Sequence, residues 1–373
     1  MTVTLADEGA VIGRILDHID HQTTDLADGV WREPVANYTS PARFEAEIRQ
    51  VMRRTPTPFC PSVALPEAGS YLARDAAMTP ILAVRGADGV VRAFRNACRH
   101  RGAQLVDGTG CRAALTCRYH AWTYGLDGAL RGVPHEHGFP GLDKAEHGLV
   151  PVRCVEKGGI VFVTQDPPAA GAGDLDEIPD LLGPGWRLLS ANESEIPTNW
   201  KIVTEGVLEG YHIRATHAQT FYPRQYDNLT LIEPFGRGSR VTFPFQAVEK
   251  LRGAPAQAQR TAGVLTHVYH LFPNAAVATF PTHRTLTIFE PVAIDRTRTV
   301  SYTLTDRPAA PEAEAAVKKG QDFVTDGVRE DRDVQIAVQR GLAARANEVF
   351  TFGLFEGAIG RLHKHLAEAL AAG

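Results

Sequence analysis

The chain has little cysteine: five residues in 373, namely Cys60, Cys98, Cys111, Cys117 and Cys154. An odd, sparse set in a chain of this length argues against the disulfide framework of small secreted domains. No apolar run reaches the roughly 18 residues that a membrane helix needs. The opening MTVTLADEGAVIGRILDHID has neither the basic start nor the apolar core of a signal peptide. These absences lead to the expectation of a reducing, cytoplasmic setting and no membrane. Charge of one sign is lacking too. A net charge of −4 and a pI near 6.4 give no general preference for nucleic acid or an anionic bilayer. No GxGxxG or P-loop occurs, so the chain shows no nucleotide or flavin site of its own. There are no internal repeats and no low-complexity segments.

What is present is enough apolar content, 44 %, and enough length for two separate cores. Residues 1–50 read as a mostly helical N-terminal segment, with Val11, Ile12, Ile15 and Leu16 at helical spacing. From 51 to 165, short β-rich runs (PILAVRG, VVRAFRN, AALTCRY, GIVFVTQ) are broken by turns such as GADG and GLDG, which predicts a small all-β domain. The stretch 166–185 is rich in Pro, Gly and Ala and reads as a linker. In 186–373 a helical stretch near 199–212 precedes strands through 229–305 and helices over 311–345 and 354–371. The expected fold is α+β, with a long C-terminal helix laid across a curved antiparallel sheet.

The strongest motif is Cys98-Arg99-His100, sixteen residues, then Cys117-Arg118-Tyr119-His120. Two thiolates and two imidazoles on two β-loops form the ligand set of a Rieske [2Fe–2S] cluster, in which histidines replace two cysteines on one iron. A structural zinc with the same ligands is the rival. Cys60, Cys111 and Cys154 have no partner at ligand spacing and read as buried or peripheral thiols.

A second motif is NWKIVTEGVLEGYHIRATH, residues 199–217. On a regular helix His212 and His217 would point about 140° apart, so shared ligation requires a helix that ends or bulges between them. Two neutral histidines and one carboxylate make the facial triad of non-haem Fe(II) oxygenases. At 100° per residue, Val324, Val328, Val338 and Leu342 lie within about 60° of Asp331, whereas Asp322, Asp326 and Asp333 lie opposite. Asp331 is therefore expected in the apolar stripe, where a buried acid needs a cation. An Arg or Lys salt bridge is the alternative.

The texts NACRHRGAQL and CRYHAWTYGLDGAL resemble the cluster loops of Rieske non-haem iron oxygenases, with Arg118 for a usual proline and Ala121 for a usual glycine. Residues 199–217 resemble the same family's iron-histidine stretch, with Gly206 where asparagine is frequent, and Glu330-Asp331 resembles its carboxylate segment. The resemblance implies the oxygenase (alpha) subunit of an aromatic-ring-hydroxylating system. Its fold would be a Rieske domain followed by a helix-grip, START-like catalytic domain. It implies [2Fe–2S] on Cys98, Cys117, His100 and His120, and Fe(II) on His212, His217 and Asp331. Implied too is a homotrimer in which Glu209 bridges a cluster histidine of one subunit to His212 of the next. Electrons would come from a separate flavin reductase, with or without a ferredoxin. O2 and a small organic substrate would give hydroxylation, cis-dihydroxylation or N- or O-demethylation. The rivals from other classes are a non-catalytic electron carrier and a START-like binding protein with structural zinc.

His135 with His137, and His267 with His270, lack a third ligand and read as surface, pocket or hydrogen-bonded core residues. His363 and His365 read as solvated positions favoured by the helix dipole. Phe272, Val277, Phe280, His283, Thr287 and Phe289 are candidates for the pocket wall, with the inward face left open because the register is not known.

Overall fold

The structure is a computed structural model that describes residues 5–168, 175–255, 258–259 and 263–372. It divides into two units: Met52–Pro168 with Asp180–Pro184, and Met1–Val51, Ala169–Pro179 and Gly185–Gly373.

In the first unit the β-rich runs pair into a seven-stranded antiparallel sheet. Its order is Thr57–Pro61, Ile160–Thr164, Pro151–Lys157, Val91–Arg95, Thr79–Arg85, Ser70–Ala76 and Gly108–Cys111. A separate three-stranded sheet (Leu115–Thr116, Thr123–Tyr124, Leu130–Gly132) carries the second cysteine loop. Leu82, Val84 and Phe94 pack with Leu115, Trp122 and Tyr124, and Cys98 and Cys117 belong to that same buried cluster.

Of the expected linker, residues 169–174 lie outside the described residues. Its later part packs on the first unit, where Leu182 N donates to Gly158 O at 2.9 Å. A Cβ on Gly159, whose φ is +76°, would meet Leu182 O at 1.6 Å, so only glycine admits this approach.

The second unit is a seven-stranded antiparallel sheet in the order Arg187–Ile196, Arg296–Thr305, Arg284–Ala293, Ala275–Thr279, Leu265–Leu271, Gly238–Pro244 and Leu231–Phe235. A 32-residue helix, Pro311–Leu342, faces the sheet across a cavity, and a second helix, Gly357–Ala371, ends the chain. This is the expected helix-grip arrangement. The edge strand Arg187–Ile196 escaped the sequence reading because its run SANESE is exposed and polar.

The N-terminal segment is mostly helical, over Glu8–His21, Ala36–Thr39, Pro41–Ala46 and Glu47–Met52, but residues 22–30 are not helical and Trp31–Pro34 pairs as a strand with Val349–Phe352. Proline and glycine deny a helix here, and Val349–Phe352 supplies the missing backbone partners. The helix expected over 199–212 stops at Glu205, followed by turns, because Gly206 starts a non-helical stretch. His363 is buried at 1 % exposure, since Ile359, Leu362, His363 and Leu366 share the inward face of the terminal helix. His365 is half-buried beside Phe272.

Candidate metal centres

The two cysteine loops of the first unit have the same construction. Gly102 N donates to Cys98 O at 2.8 Å, and Ala121 N donates to Cys117 O at 2.9 Å. Both donors have positive φ, +75° and +58°. Each loop thus turns its cysteine inward and its histidine outward. Cys98 and Cys117 are 5 % and 2 % exposed, whereas His120 is exposed and His100 half-buried.

The rings of His100 and His120 meet edge to face at 4.7 Å, and His100 stacks on Trp122 at 4.9 Å. Tyr119 stacks on His120 at 3.7 Å. The Tyr124 hydroxyl lies 3.3 Å from Cys98 Sγ and accepts from Arg99 N at 2.9 Å. Burial and the neighbouring thiols push that phenol up, so it stays a proton donor. The buried Nδ1 of His100 has no hydrogen-bond partner. A buried ring nitrogen without a partner suits a metal bond. The inner thiols and outer imidazoles fit the two unlike irons of a Rieske cluster.

In the second unit His212 and His217 bracket a single helical turn, Ile213–Thr216. That short turn meets the geometric demand noted in the sequence. His212 Nε2 and His217 Nε2 come within 3.2 Å, and Asp331 Oδ1 lies 2.9 Å from His217 Nε2 and 3.4 Å from His212 Nε2. Cis ligands on an octahedral metal with bonds of about 2.1 Å are about 3 Å apart, so this triangle fits one face of a metal's coordination shell. Among the described residues these three are the group of His, Cys, Asp or Glu able to hold one ion. Burial opposes protonation of His212, yet Asp331 and Glu209 outweigh it and lift the ring to about 10. Burial raises the Asp331 carboxyl, but the two histidines outweigh it and hold the group below its usual range. The site attracts positive charge.

Each histidine is also gripped from behind. His212 Nδ1 meets Glu209 Oε1, and Glu209 Oε2 accepts from the backbone N of His212 at 3.2 Å. Glu209 lies outside any helix, so its contact comes from the turn rather than from the helical spacing expected. His217 Nδ1 lies 2.8 Å from Glu330 Oε2, which also accepts from Thr220 Oγ1 at 2.6 Å. Carboxylates on the outer nitrogens of histidine ligands fix tautomer and orientation. Sequence reasoning gave Glu330 no role. Its signal was adjacency to Asp331, and only the fold brings Thr220 and His217 to it.

Asp331 is a fifth exposed at its side chain, and the stripe around it is not a buried one. Val328 and Val338 are 55 % and 37 % exposed. The helix lines a cavity with this face instead of packing it into a solid core. Asp322, Asp326 and Asp333 are exposed, as their angles required. Gly206 leaves room that Gln335 fills, since a Cβ there would meet Gln335 Nε2 at 2.8 Å.

The cavity that reaches the triad measures about 320 Å³. Phe221, Phe243, Phe245, Phe280, Phe289 and Phe323 form its walls. Of the six wall candidates, Phe280, Thr287 and Phe289 line it, while Phe272, Val277 and His283 do not. His267 and His270 are buried, the first bonded to Thr242 Oγ1 at 2.9 Å, and His135 and His137 are exposed. Cys60 is buried, Cys154 half-buried and Cys111 exposed.

Residues 185–372 match the family described as Ring hydroxylating alpha subunit (catalytic domain), and residues 55–152 match the Rieske [2Fe–2S] domain. The chain is 28 % identical to the carnitine monooxygenase oxygenase subunit of Escherichia coli over 336 residues, 84 % of this chain and 85 % of that protein. It is 36 % identical to the glycine betaine monooxygenase oxygenase subunit of Chromohalobacter salexigens over 192 residues, 50 % of this chain and 43 % of that one. Its fold matches a crystal structure of a quaternary ammonium Rieske monooxygenase in complex with substrate L-carnitine. The TM-score is 0.77 at 22 % identity, covering 92 % of this chain and 96 % of the other.

Proposed function

The chain belongs to the ring-hydroxylating alpha-subunit family and carries a Rieske domain, which makes it the oxygenase subunit of a Rieske oxygenase, and from that premise we propose that it oxidises a small quaternary ammonium compound at a carbon attached to nitrogen. The observation that carries this reading is the cavity. Six phenylalanines wall it, and the carboxylates among its described lining residues, Glu209 and Asp331, are both engaged by histidine. Aromatic faces hold a trimethylammonium group by cation–π attraction without neutralising it. The two curated relatives act, by name, on carnitine and glycine betaine.

In this reading Cys98, Cys117, His100 and His120 hold the [2Fe–2S] cluster, and His212, His217 and Asp331 hold Fe(II). The bound groups supply electrons and O2 activation. The chain's own residues do the rest. Glu209 and Glu330 orient the two histidines, and the phenylalanines exclude water and aim the substrate's C–H bond at the triad. Hydroxylation of an N-methyl carbon consumes O2, two electrons and two protons and releases water. The resulting carbinol collapses, breaking C–N, to a tertiary amine, formaldehyde and a proton.

Electrons come from a separate reductase or ferredoxin. The proposed assembly is a cytoplasmic homotrimer, with Glu209 bridging a cluster histidine of one subunit to His212 of its neighbour. The Glu209 carboxylate keeps spare lone pairs for that bond.

The test is purified oxygenase, with reductase, offered carnitine, glycine betaine, choline, indole and naphthalene. Oxygen uptake matched by amine and aldehyde from a quaternary ammonium compound is expected. Diols or phenols from the aromatic compounds alone would replace the reading with ring hydroxylation, which the apolar walls also accommodate.

A further inference from the structure

A second cavity, about 770 Å³, opens beside the first. Phe245, Phe280 and Phe323 line both, so three aromatic rings form the partition between them. The outer cavity differs in charge. Arg224, Lys250 and Lys319 line it, all are exposed, and none forms an ion pair with a described residue. The nearby acids are engaged elsewhere: Glu249 accepts from the Tyr226 hydroxyl at 2.7 Å, and Asp322 pairs with Lys318 at 3.6 Å. Among the described residues no acid lines the outer cavity.

The partition is tied to that charge. Arg224 lies over the Phe323 ring at 4.7 Å, and Phe323 packs against Phe221 at 5.2 Å, which in turn packs on His217 at 4.5 Å. The cation–π contact and the tilted ring pair on Phe323 are each worth about 1 kcal/mol, so moving the ring away from these two partners costs little. Gly320 keeps this side of the helix close to the turn that carries Thr282, because a Cβ there would meet Thr282 Oγ1 at 2.9 Å.

We propose that the outer cavity is a substrate vestibule that selects carboxylate-bearing molecules, with Arg224, Lys250 and Lys319 as its anion-attracting rim and Phe245, Phe280 and Phe323 as the gate to the triad. Three cations at one mouth raise the local concentration of an anionic group and repel a bare cation. A zwitterion enters with its cationic end toward the phenylalanines and its carboxylate left toward the rim. This deepens the quaternary ammonium reading: the substrate is a betaine rather than an amino alcohol such as choline.

The test is the holo oxygenase with its reductase, as wild type and as the Lys250→Glu/Lys319→Glu double variant. Two pairs are compared, glycine betaine with choline and benzoate with indole. kcat/KM is measured at low and high salt, and anaerobic equilibrium binding of the same four compounds is followed alongside. The wild type is expected to favour the carboxylated member of a pair. The variant is expected to lose about tenfold in kcat/KM for it, through KM and not kcat, and high salt should erase the difference. Iron content confirms that the variant folds. A wild-type preference for the uncarboxylated member, or one that charge reversal leaves unchanged, overturns the vestibule. If no quaternary ammonium compound is turned over, the proposed function fails alone, because the benzoate–indole pair and the binding measurements still decide the vestibule.

Discussion

Glu330 acts at the scale of single contacts. Its carboxylate holds His217 at 2.8 Å and is itself fixed by Thr220 at 2.6 Å. Losing such a support costs about 10–100-fold in metal affinity. Glu330→Ala is therefore expected to release mononuclear iron on dialysis while the cluster absorbance stays unchanged. Full retention of three irons per chain would remove Glu330 from the iron site. Ala121 poses the opposite case, a residue that burdens its loop. It sits at φ +58°, where a Cβ strains the backbone and the matching loop uses Gly102. Ala121→Gly is expected to stabilise the first unit by about 1 kcal/mol, read as a higher midpoint for cluster loss on heating. The cluster spectrum should not change.

At the scale of elements, the terminal helix carries a buried charge cluster. His363 Nε2 lies 2.9 Å from Glu205 and 3.2 Å from the Tyr38 hydroxyl, and Nδ1 lies 3.4 Å from Glu33. Burial opposes its protonation, but Glu205 and Glu33 outweigh it and lift the ring from 6.5 to about 9. A raised pKa stabilises the fold fully below about pH 6.5, and the contribution is lost as pH rises through about 9. Burial likewise raises Glu33, but His363 outweighs it and holds the carboxyl at about 2, so its share is full above 4.5 and lost as pH falls through 2. The stability gap between wild type and His363→Gln is accordingly expected to be widest between pH 4.5 and 6.5, at about 2 kcal/mol. It should narrow toward pH 9. Urea unfolding across that range is the measurement, and a gap independent of pH would show that the ring contributes by packing alone.

At the scale of the whole second unit, the N-terminal segment is part of the catalytic fold. Glu47 reaches Lys201 Nζ at 2.9 and 2.8 Å with both side chains fully buried, and it also accepts from Trp200 Nε1 at 3.0 Å and Arg43 Nε at 2.9 Å. Removing one partner of a buried pair strands the other's charge, at a cost of about 3–5 kcal/mol. Lys201→Met is expected to lose that much in denaturant and to loosen residues 200–217, so that iron is released before the unit unfolds. Equal stability of wild type and variant would mean that Arg43 and Trp200 suffice to satisfy Glu47.

Local order along the chain decided the two cysteine loops, the short strands around them, the histidine stretch and the angular choice of Asp331 over Asp322, Asp326 and Asp333. Each depends on spacing within a few residues, which periodicity and turn chemistry encode directly. The tertiary structure alone decided the rest. Glu330 becomes a histidine support only when the long helix meets residues 217–220. His363 becomes a buried cation only when Glu33 and Glu205, 330 and 158 positions away, close around it. The polar edge strand Arg187–Ile196 is specified by its partner Arg296–Thr305 rather than by its own alternation. The cavity walls follow strand alternation, which brings Ala276 and Ala278 to the cavity and turns Val277 away, while Thr285, Thr287 and Phe289 line it from the next strand. Contacts of long sequence separation carry no local signature, because the free energy that fixes them comes from burial and partner geometry that exist only once the chain has closed.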